Sequence, residues 1–308
     1  MFTTDSLRTV AIDGQLIRVA VRPGAANPDP HSPDAHTRGA QSPCAHSPDA
    51  HSPDAHTPGA HNPPRPVPLL VLNGIGASLE LLTPFVDALD PALEVIRFDV
   101  PGVGGSPLPA RPYRFTGLCQ LAGRLLTELG YDQADVLGIS WGGGVAQHFA
   151  LTHRSRCRRL VLVSTGTGAL MVPARPAVLG RMITPRRYLD RRYLQRVAGE
   201  LYGGSARSDP EAVAAAMNAH NRVGSARGYL YQLTAGAGWT SLPFLPFLRQ
   251  PTLIISGDDD PIIPVANARL MHRLIPAARL HVFHGGHLGL VTEAAELAPV
   301  VSQFLTAP

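Results

Sequence analysis

The sequence predicts an α/β protein: a mostly parallel, doubly wound sheet carrying an inserted helical cap and, near its N-terminus, a disordered pentapeptide-repeat insert. Three observations predict it. Short apolar runs recur at 67–72, 94–98, 135–139, 160–163, 252–255 and 280–283, as expected of strands covered on both faces. Helical stretches at 79–89, 117–129, 145–152, 266–274 and 293–304 separate them, and this alternation is the mark of parallel topology. The alternation fails at about 165–248, where helical pieces and glycine corners such as Tyr202-Gly203-Gly204 stand between two core strands.

The elements follow in order. Residues 7–12 and 15–21 read as strands around Asp13-Gly14, a strong hairpin turn signal, so 1–23 is taken as a hairpin of the core. From His31 the chain repeats every five residues, as in His46-Ser47-Pro48-Asp49-Ala50. Proline recurs there and large apolar side chains are absent, so burial cannot offset the entropy of ordering. Residues 24–66 are therefore expected to be a disordered insert with polyproline II character. Six of the thirteen histidines lie in it; their spacing reflects the repeat, so no metal site is assigned. The core resumes at 67–164. Residues 165–248 are read as a cap over the strands' C-terminal edge, where such sheets bind ligands, and 249–308 complete the core.

A chain of 308 residues suits one large domain with such a cap. The net charge of +4 is carried by arginine, since lysine is absent; a mild excess of this kind gives no reason to expect nucleic acid as a partner. Two arginine clusters, at 154–159 and 186–196, read as solvated faces, with contact to an anionic surface as the sharper alternative. Cys44, Cys119 and Cys157 have neither disulfide-framework nor metal spacing. The first ten residues lack a basic patch followed by an apolar run, and no stretch reaches the length of a membrane span. A soluble cytoplasmic protein is expected.

The strongest chemical signal is Gly138-Ile139-Ser140-Trp141-Gly142. A strand precedes it and a helix follows, which is the context of a nucleophile elbow in the α/β-hydrolase fold. The serine sits on a sharp turn that requires small neighbours, and the helix N-terminus favours negative charge developing there. A serine hydroxyl is a poor nucleophile at neutral pH and needs a base. In this fold the chain order is serine, acid, histidine. The strand at 252–255 runs into Gly257-Asp258-Asp259-Asp260-Pro261, and the spacing of Gly257 and Pro264 selects Asp260. Asp258 and Asp259 read as capping or solvated residues. The strand at 280–283 runs into His284-Gly285-Gly286-His287; glycines before it and the terminal helix after it favour His287 over His284. His148 and His153 fall on the elbow helix as packing or surface residues. Asn73-Gly74-Ile75-Gly76 follows the first core strand, so the backbone N–H groups of Ile75 and Trp141 are the expected oxyanion donors. The loop at 99–106 reads as a structural turn lining the pocket.

At this point the chain resembles a known family. Arg8-Thr9-Val10, Asp13-Gly14-Gln15, Val21-Arg22-Pro23-Gly24, Asn73-Gly74-Ile75-Gly76-Ala77, Ala88-Leu89-Asp90-Pro91, 98–105, Pro112-Tyr113-Arg114-Phe115 and Ser140-Trp141-Gly142-Gly143 are similar to the intracellular poly(3-hydroxyalkanoate) depolymerases acting on medium-chain-length polyesters. Met171-Val172-Pro173, Pro185-Arg186-Arg187-Tyr188, Tyr202-Gly203-Gly204, Gly238-Trp239-Thr240-Ser241 and 257–264 extend the likeness into the cap. The resemblance covers nearly the whole chain except the insert, which is foreign to the family. It implies a Ser140, Asp260, His287 triad. It also implies hydrolysis of stored polyester to 3-hydroxy fatty acids at a granule surface, with no cofactor. Gly285-Gly286 departs from the family's usual loop and is expected to be more flexible. The motifs alone reach only acyl transfer from an ester to water, leaving a small-ester esterase or perhydrolase as the enzymatic alternative and a non-catalytic granule-surface protein as the other. The run 242–248, Leu-Pro-Phe-Leu-Pro-Phe-Leu, reads equally as an exposed docking patch or as a cap segment buried on the core.

Overall fold

The computed structural model describes residues 5–25, 66–222 and 224–307. The repeat insert expected at 24–66 lies outside the described residues apart from Gly24, Ala25 and Pro66, as do its histidines and Cys44. The strands are β1 (Ser6–Ile12), β2 (Gln15–Arg22), β3 (Leu69–Leu72), β4 (Val95–Phe98), β5 (Ala134–Ile139), β6 (Cys157–Val163), β7 (Thr252–Gly257) and β8 (Ala278–Phe283). They form one eight-stranded sheet in the order β1-β2-β4-β3-β5-β6-β7-β8. The opening hairpin is antiparallel and joins β4 antiparallel; β4, β3 and β5 to β8 run parallel.

The apolar runs divide between two layers with the period of two that a strand imposes. Leu70 and Leu72 of β3, Val136 of β5, and Leu160 and Leu162 of β6 pack into one core layer. Helices α2 (Phe115–Glu128), α3 (Trp141–Thr152) and α10 (Ala266–Leu274) cover this layer. Leu69, Val71, Leu137, Ile139, Val161 and Val163 pack into the other, against α1 (Thr83–Ala88) and α11 (Ala294–Thr306). Successive strands leave β3 in opposite directions, to β4 on one side and β5 on the other. The loops after β3 and β5 therefore part at a topological switch point, where a crevice opens at the strands' C-terminal ends.

Over that crevice lies the cap: α4 (Pro176–Met182), α5 (Arg186–Leu189), α6 (Arg191–Tyr202), α7 (Ser205–Ser208), α8 (Pro210–His220) and α9 (Ala226–Gly236). Leu194, Val197, Leu201, Val213 and Met217 form its own apolar cluster, which also takes in Ile262, Ile263 and Leu288 from the core loops. The segment Leu242–Phe247 is a 3₁₀ turn that divides the two readings of 242–248 between its sides: Leu245 and Leu248 are fully buried, whereas Phe244 and Phe247 are each 52% exposed.

Three expectations are corrected. The helix expected at 79–89 is a 3₁₀ turn, Leu79–Leu82, followed by α1, with Pro84 in its first turn. The elbow helix begins at Trp141 rather than at 145; glycines 142–144 lower helix propensity, but a Cβ there would meet the Leu72 carbonyl, the Thr165 side chain and the Phe115 ring in turn. The second arginine cluster is not a uniformly solvated face, because Arg187 is 2% exposed. Among the described residues no helix is long and apolar enough to cross a membrane.

Both ends of the insert are tied to one place. The Ala25 N–H donates to Pro91 O and the Leu69 N–H to Glu94 O, each at 2.8 Å. Both acceptors belong to the α1–β4 connection, at the edge of the sheet opposite the C-terminal ends of the parallel strands.

Candidate active site

Ser140 occupies the sharp turn between β5 and α3, with φ 54° and ψ −121°. This is a strained conformation for a residue with a side chain. Close packing enforces it: a Cβ on Gly142 would stand 2.1 Å from the Leu72 carbonyl oxygen. The Ser140 N–H donates to Val163 O at 2.9 Å, and Thr165 Oγ1 donates to Ser140 O at 2.7 Å. The turn is thus tied to the neighbouring strand on both sides.

His287 and Asp260 reach Ser140 from the loops after β8 and β7. His287 Nε2 lies 3.0 Å from Ser140 Oγ, and its Nδ1 lies 2.8 Å from Asp260 Oδ2. The other carboxylate oxygen, Oδ1, accepts from the N–H groups of Ile262 and Ile263, both at 2.9 Å. Asp260 and His287 are buried. Contacts on both ring nitrogens hold the imidazole's orientation. The loop before His287 is packed rather than loose. The His287 N–H donates to Tyr202 O at 2.7 Å, and a Cβ on Gly286 would meet the same carbonyl at 2.1 Å. Glycine therefore serves close approach of the cap here, and the expected flexibility is not what the packing gives.

The neighbouring aspartates and histidine do other work. Asp258 accepts from the Gly285 N–H at 3.1 Å and lies 3.0 Å from His284 Nδ1. Its carboxyl is held below the usual carboxylate range, chiefly by His284, and Asp258 in turn raises the exposed His284 imidazole. Asp259 takes a two-pronged bond from Arg207, at 2.5 and 2.9 Å, and one from the Gly204 N–H at 2.8 Å. It fastens the cap to this loop.

Ile75 and Trp141 both line a cavity of about 220 Å³ that Ser140 opens into. Among the described residues neither backbone N–H has an acceptor, which leaves both available to an oxyanion. The cap holds both loops: Gln232 Oε1 accepts from the Gly76 N–H at 2.8 Å, and Gln232 O accepts from Trp141 Nε1 at 2.9 Å. Tyr188 OH adds a bond to Ile75 O at 2.8 Å. Gln232 belongs to no motif, and only the fold shows its place. The cavity wall is apolar, built by Phe115, Trp141, Met171, Met182, Trp239 and Ile263 among others. None of residues 99–106 lines it or the second cavity at Ser140. That loop instead packs against α9 through Gly102 and Gly228 and binds Arg18 through Asp99 at 3.0 Å. The second cavity, of about 30 Å³, lies on the His287 side and is lined by Asn73, Ser140, Arg187, Tyr188, Tyr202 and His287 among others. No three His, Cys, Asp or Glu side chains among the described residues are grouped to hold a metal ion.

Comparison with known proteins agrees with this architecture. The model of the α/β-hydrolase fold family matches residues 67–294. A poly(3-hydroxyalkanoate) depolymerase of Ectopseudomonas oleovorans is 46% identical over 298 residues, 97% of this chain and 92% of that protein. A 2-hydroxymuconate semialdehyde hydrolase of a Pseudomonas species is 32% identical over 77% of this chain and 86% of its own. The enol-lactonase structure from Burkholderia xenovorans superposes with a TM-score of 0.72 at 20% identity, over 97% of this chain and 100% of that one, a likeness of fold. The chain belongs to the α/β-hydrolase family and, within it, to the poly(3-hydroxyalkanoate) depolymerases.

Proposed function

We propose that this protein hydrolyses the ester bonds of poly(3-hydroxyalkanoate) to 3-hydroxy fatty acids, with Ser140 as nucleophile, His287 as general base and acid, and Asp260 orienting the imidazole. The observation that carries the reading is the hydrogen-bonded chain from Ser140 Oγ through His287 to Asp260, at 3.0 and 2.8 Å, at the mouth of an apolar cavity. His287 Nε2 takes the hydroxyl proton as Oγ attacks the ester carbonyl. The carbonyl oxygen becomes an oxyanion held by the N–H groups of Ile75 and Trp141. The bond from carbonyl carbon to alkoxy oxygen then breaks, and the leaving alcohol takes the proton back from His287. Water repeats the sequence on the acyl-enzyme and frees Ser140.

An aliphatic side chain of a polyester unit suits the larger cavity, whose wall offers methionine, isoleucine and aromatic surface. Leu170, Val172, Leu179 and Ile183 stand exposed on the cap, close in sequence to the wall residues Met171 and Met182, and Leu179 itself lines the cavity. An apolar rim beside an apolar cavity suits work at the surface of a water-insoluble granule. Phe244 and Phe247 add a second apolar patch to this contact.

The test compares release of 3-hydroxy acids from polyester latex with hydrolysis of soluble nitrophenyl esters, by the wild type and by Ser140→Ala. Turnover of latex by the wild type alone is the expected result. Activity on soluble esters without activity on latex would assign a small-ester esterase. Failure of a fluorophosphonate to label Ser140 would remove the enzymatic reading altogether.

A further inference from the structure

We infer that the smaller cavity beside Ser140 is a carboxylate-binding subsite, with Arg187 and Tyr202 as its donors, that receives the free acid end of a polyester chain or oligomer. The inference rests on the hydrolase reading and adds a direction to it: units are removed from the carboxyl terminus.

The two cavities meeting at Ser140 differ in size, and both have walls that are largely apolar, the smaller through Leu81, Leu82, Ile139, Ile262 and Val291 among others. The smaller, at about 30 Å³, has space for about two water-sized atoms, which excludes an alkyl chain and admits a carboxylate head. Arg187 and Tyr202 line it, and each is 2% exposed. A buried guanidinium ordinarily sits against a carboxylate. Among the described residues no acidic side chain lies within ion-pair reach of Arg187. Its surroundings are aromatic instead, with the guanidinium carbon 4.5 Å from the Tyr188 ring centre and 5.3 Å from that of Tyr229. Its hydrogen bonds run from Nη1 alone, to Tyr229 OH at 2.8 Å and Thr184 O at 3.4 Å. Nε makes no hydrogen bond among the described residues, and the buried Tyr202 hydroxyl lies against the guanidinium. Burial keeps that hydroxyl protonated by raising it well above the ordinary phenol range, so it remains a donor. A buried cation with no acidic partner among the described residues, and the phenol against it, thus line the cavity that also contains the nucleophile.

The place of His287 says which part of the substrate enters. His287 lines the smaller cavity and not the larger. It returns its proton to the departing alkoxide, so the leaving group lies on that side. When the last linkage of a 3-hydroxy acid polyester is cleaved, the leaving alcohol is itself a 3-hydroxy acid. Its carboxylate is separated from the carbinol carbon by a single methylene. The ester bond to that alkoxy oxygen breaks, the bond from Ser140 Oγ to the acyl carbon forms, and the alkoxide is protonated by His287. The charged carboxylate is untouched and stays paired with Arg187.

The experiment uses two probes, the dimer of 3-hydroxyoctanoate with a free carboxyl and the same dimer as its methyl ester, at pH 8. The expected kcat/KM of the wild type is about tenfold or more in favour of the free acid. Arg187→Gln brings the ratio to within about twofold of one, and Tyr202→Phe, which keeps the backbone bond to His287, lowers it about threefold. A wild-type ratio near one overturns the subsite. So does an Arg187→Gln enzyme that is slower on both dimers with the ratio preserved, since Arg187 would then only hold the cap together. Should Arg187→Gln not fold, the wild-type ratio and Tyr202→Phe still decide. Hydrolysis of the methyl-capped dimer without preference removes the subsite and leaves the hydrolase, whereas hydrolysis of neither dimer removes both.

Discussion

The backbone N–H of Gly76 donates to the side-chain carbonyl of Gln232 at 2.8 Å, so a cap helix holds the loop that carries Ile75, whose N–H is the proposed oxyanion donor. Gln232 touches no reacting atom; it is a positioning residue. Gln232→Leu keeps the bulk and loses the acceptor. Loss of a donor itself costs about 10²-fold or more in kcat; loosening one is expected to cost about tenfold, with KM little changed. Gln232→Glu, which retains an acceptor oxygen, restores most of the rate. Steady-state kinetics on a nitrophenyl ester separate the two constants, and a fall confined to KM would contradict the assignment.

Three consecutive aspartates are offered to His287, and the geometry chooses Asp260. Asp260→Asn is expected to lower kcat by about 10⁴-fold, because an amide neither selects the imidazole tautomer nor stabilises the imidazolium. Asp258→Asn, which removes only the pairing with the exposed His284, leaves ester turnover within about twofold. Equal losses in the two variants would mean that the carboxylates share the task.

The exposed pair of Asp258 and His284 has a signature of its own. Asp258 raises the His284 imidazole above its ordinary value near 6.5. A raised folded-state value means that the pair stabilises the fold below about pH 6.5. That contribution is lost as the pH climbs through the raised midpoint. Proton NMR of the His284 ring should give a midpoint above the ordinary one, and Asp258→Asn should return it. An unshifted His284 in the wild type would show that the pair does not persist in solution.

Trp239 walls the larger cavity next to Phe115, with ring centres 5.0 Å apart. Trp239→Ala lengthens the space available to an alkyl chain. The ratio of kcat/KM for dodecanoyl over octanoyl nitrophenyl ester is expected to rise about tenfold. An unchanged ratio would place the acyl chain elsewhere.

Gly142 is the elbow's tightest contact. Gly142→Ala drives a methyl group into the Leu72 carbonyl, and about 1–3 kcal/mol of stability should be lost by overpacking. Denaturant melts measure the loss, and an unchanged midpoint would mean that the elbow relaxes freely.

Much of this was legible because local rules and global fold agree. The parallel strands announce themselves as unbroken apolar runs. Ser140, Asp260 and His287 each follow such a run, so their meeting at one edge is a consequence of topology. Other features were hidden for physical reasons. Small residues at the elbow were expected from its sharp turn, but the particular groups that Gly142 and Gly143 make room for, the Leu72 carbonyl and the Thr165 side chain, come from distant stretches of chain. Gln232, Arg187 and Tyr202 act through contacts with residues far away along the chain, and arginine among arginines carries no local sign of burial. The sides of the Leu242–Phe247 turn were equally undecidable, because its apolar pattern serves a buried and an exposed face alike.

The anchoring of Ala25 and Leu69 to one connection, on the rim remote from Ser140, bears on how this chain can change over generations. Repeats duplicated or deleted between these two residues would leave both anchoring bonds, and the points where the chain departs from and rejoins the core, as they are. The same junction is a natural port for grafting a foreign module onto the enzyme.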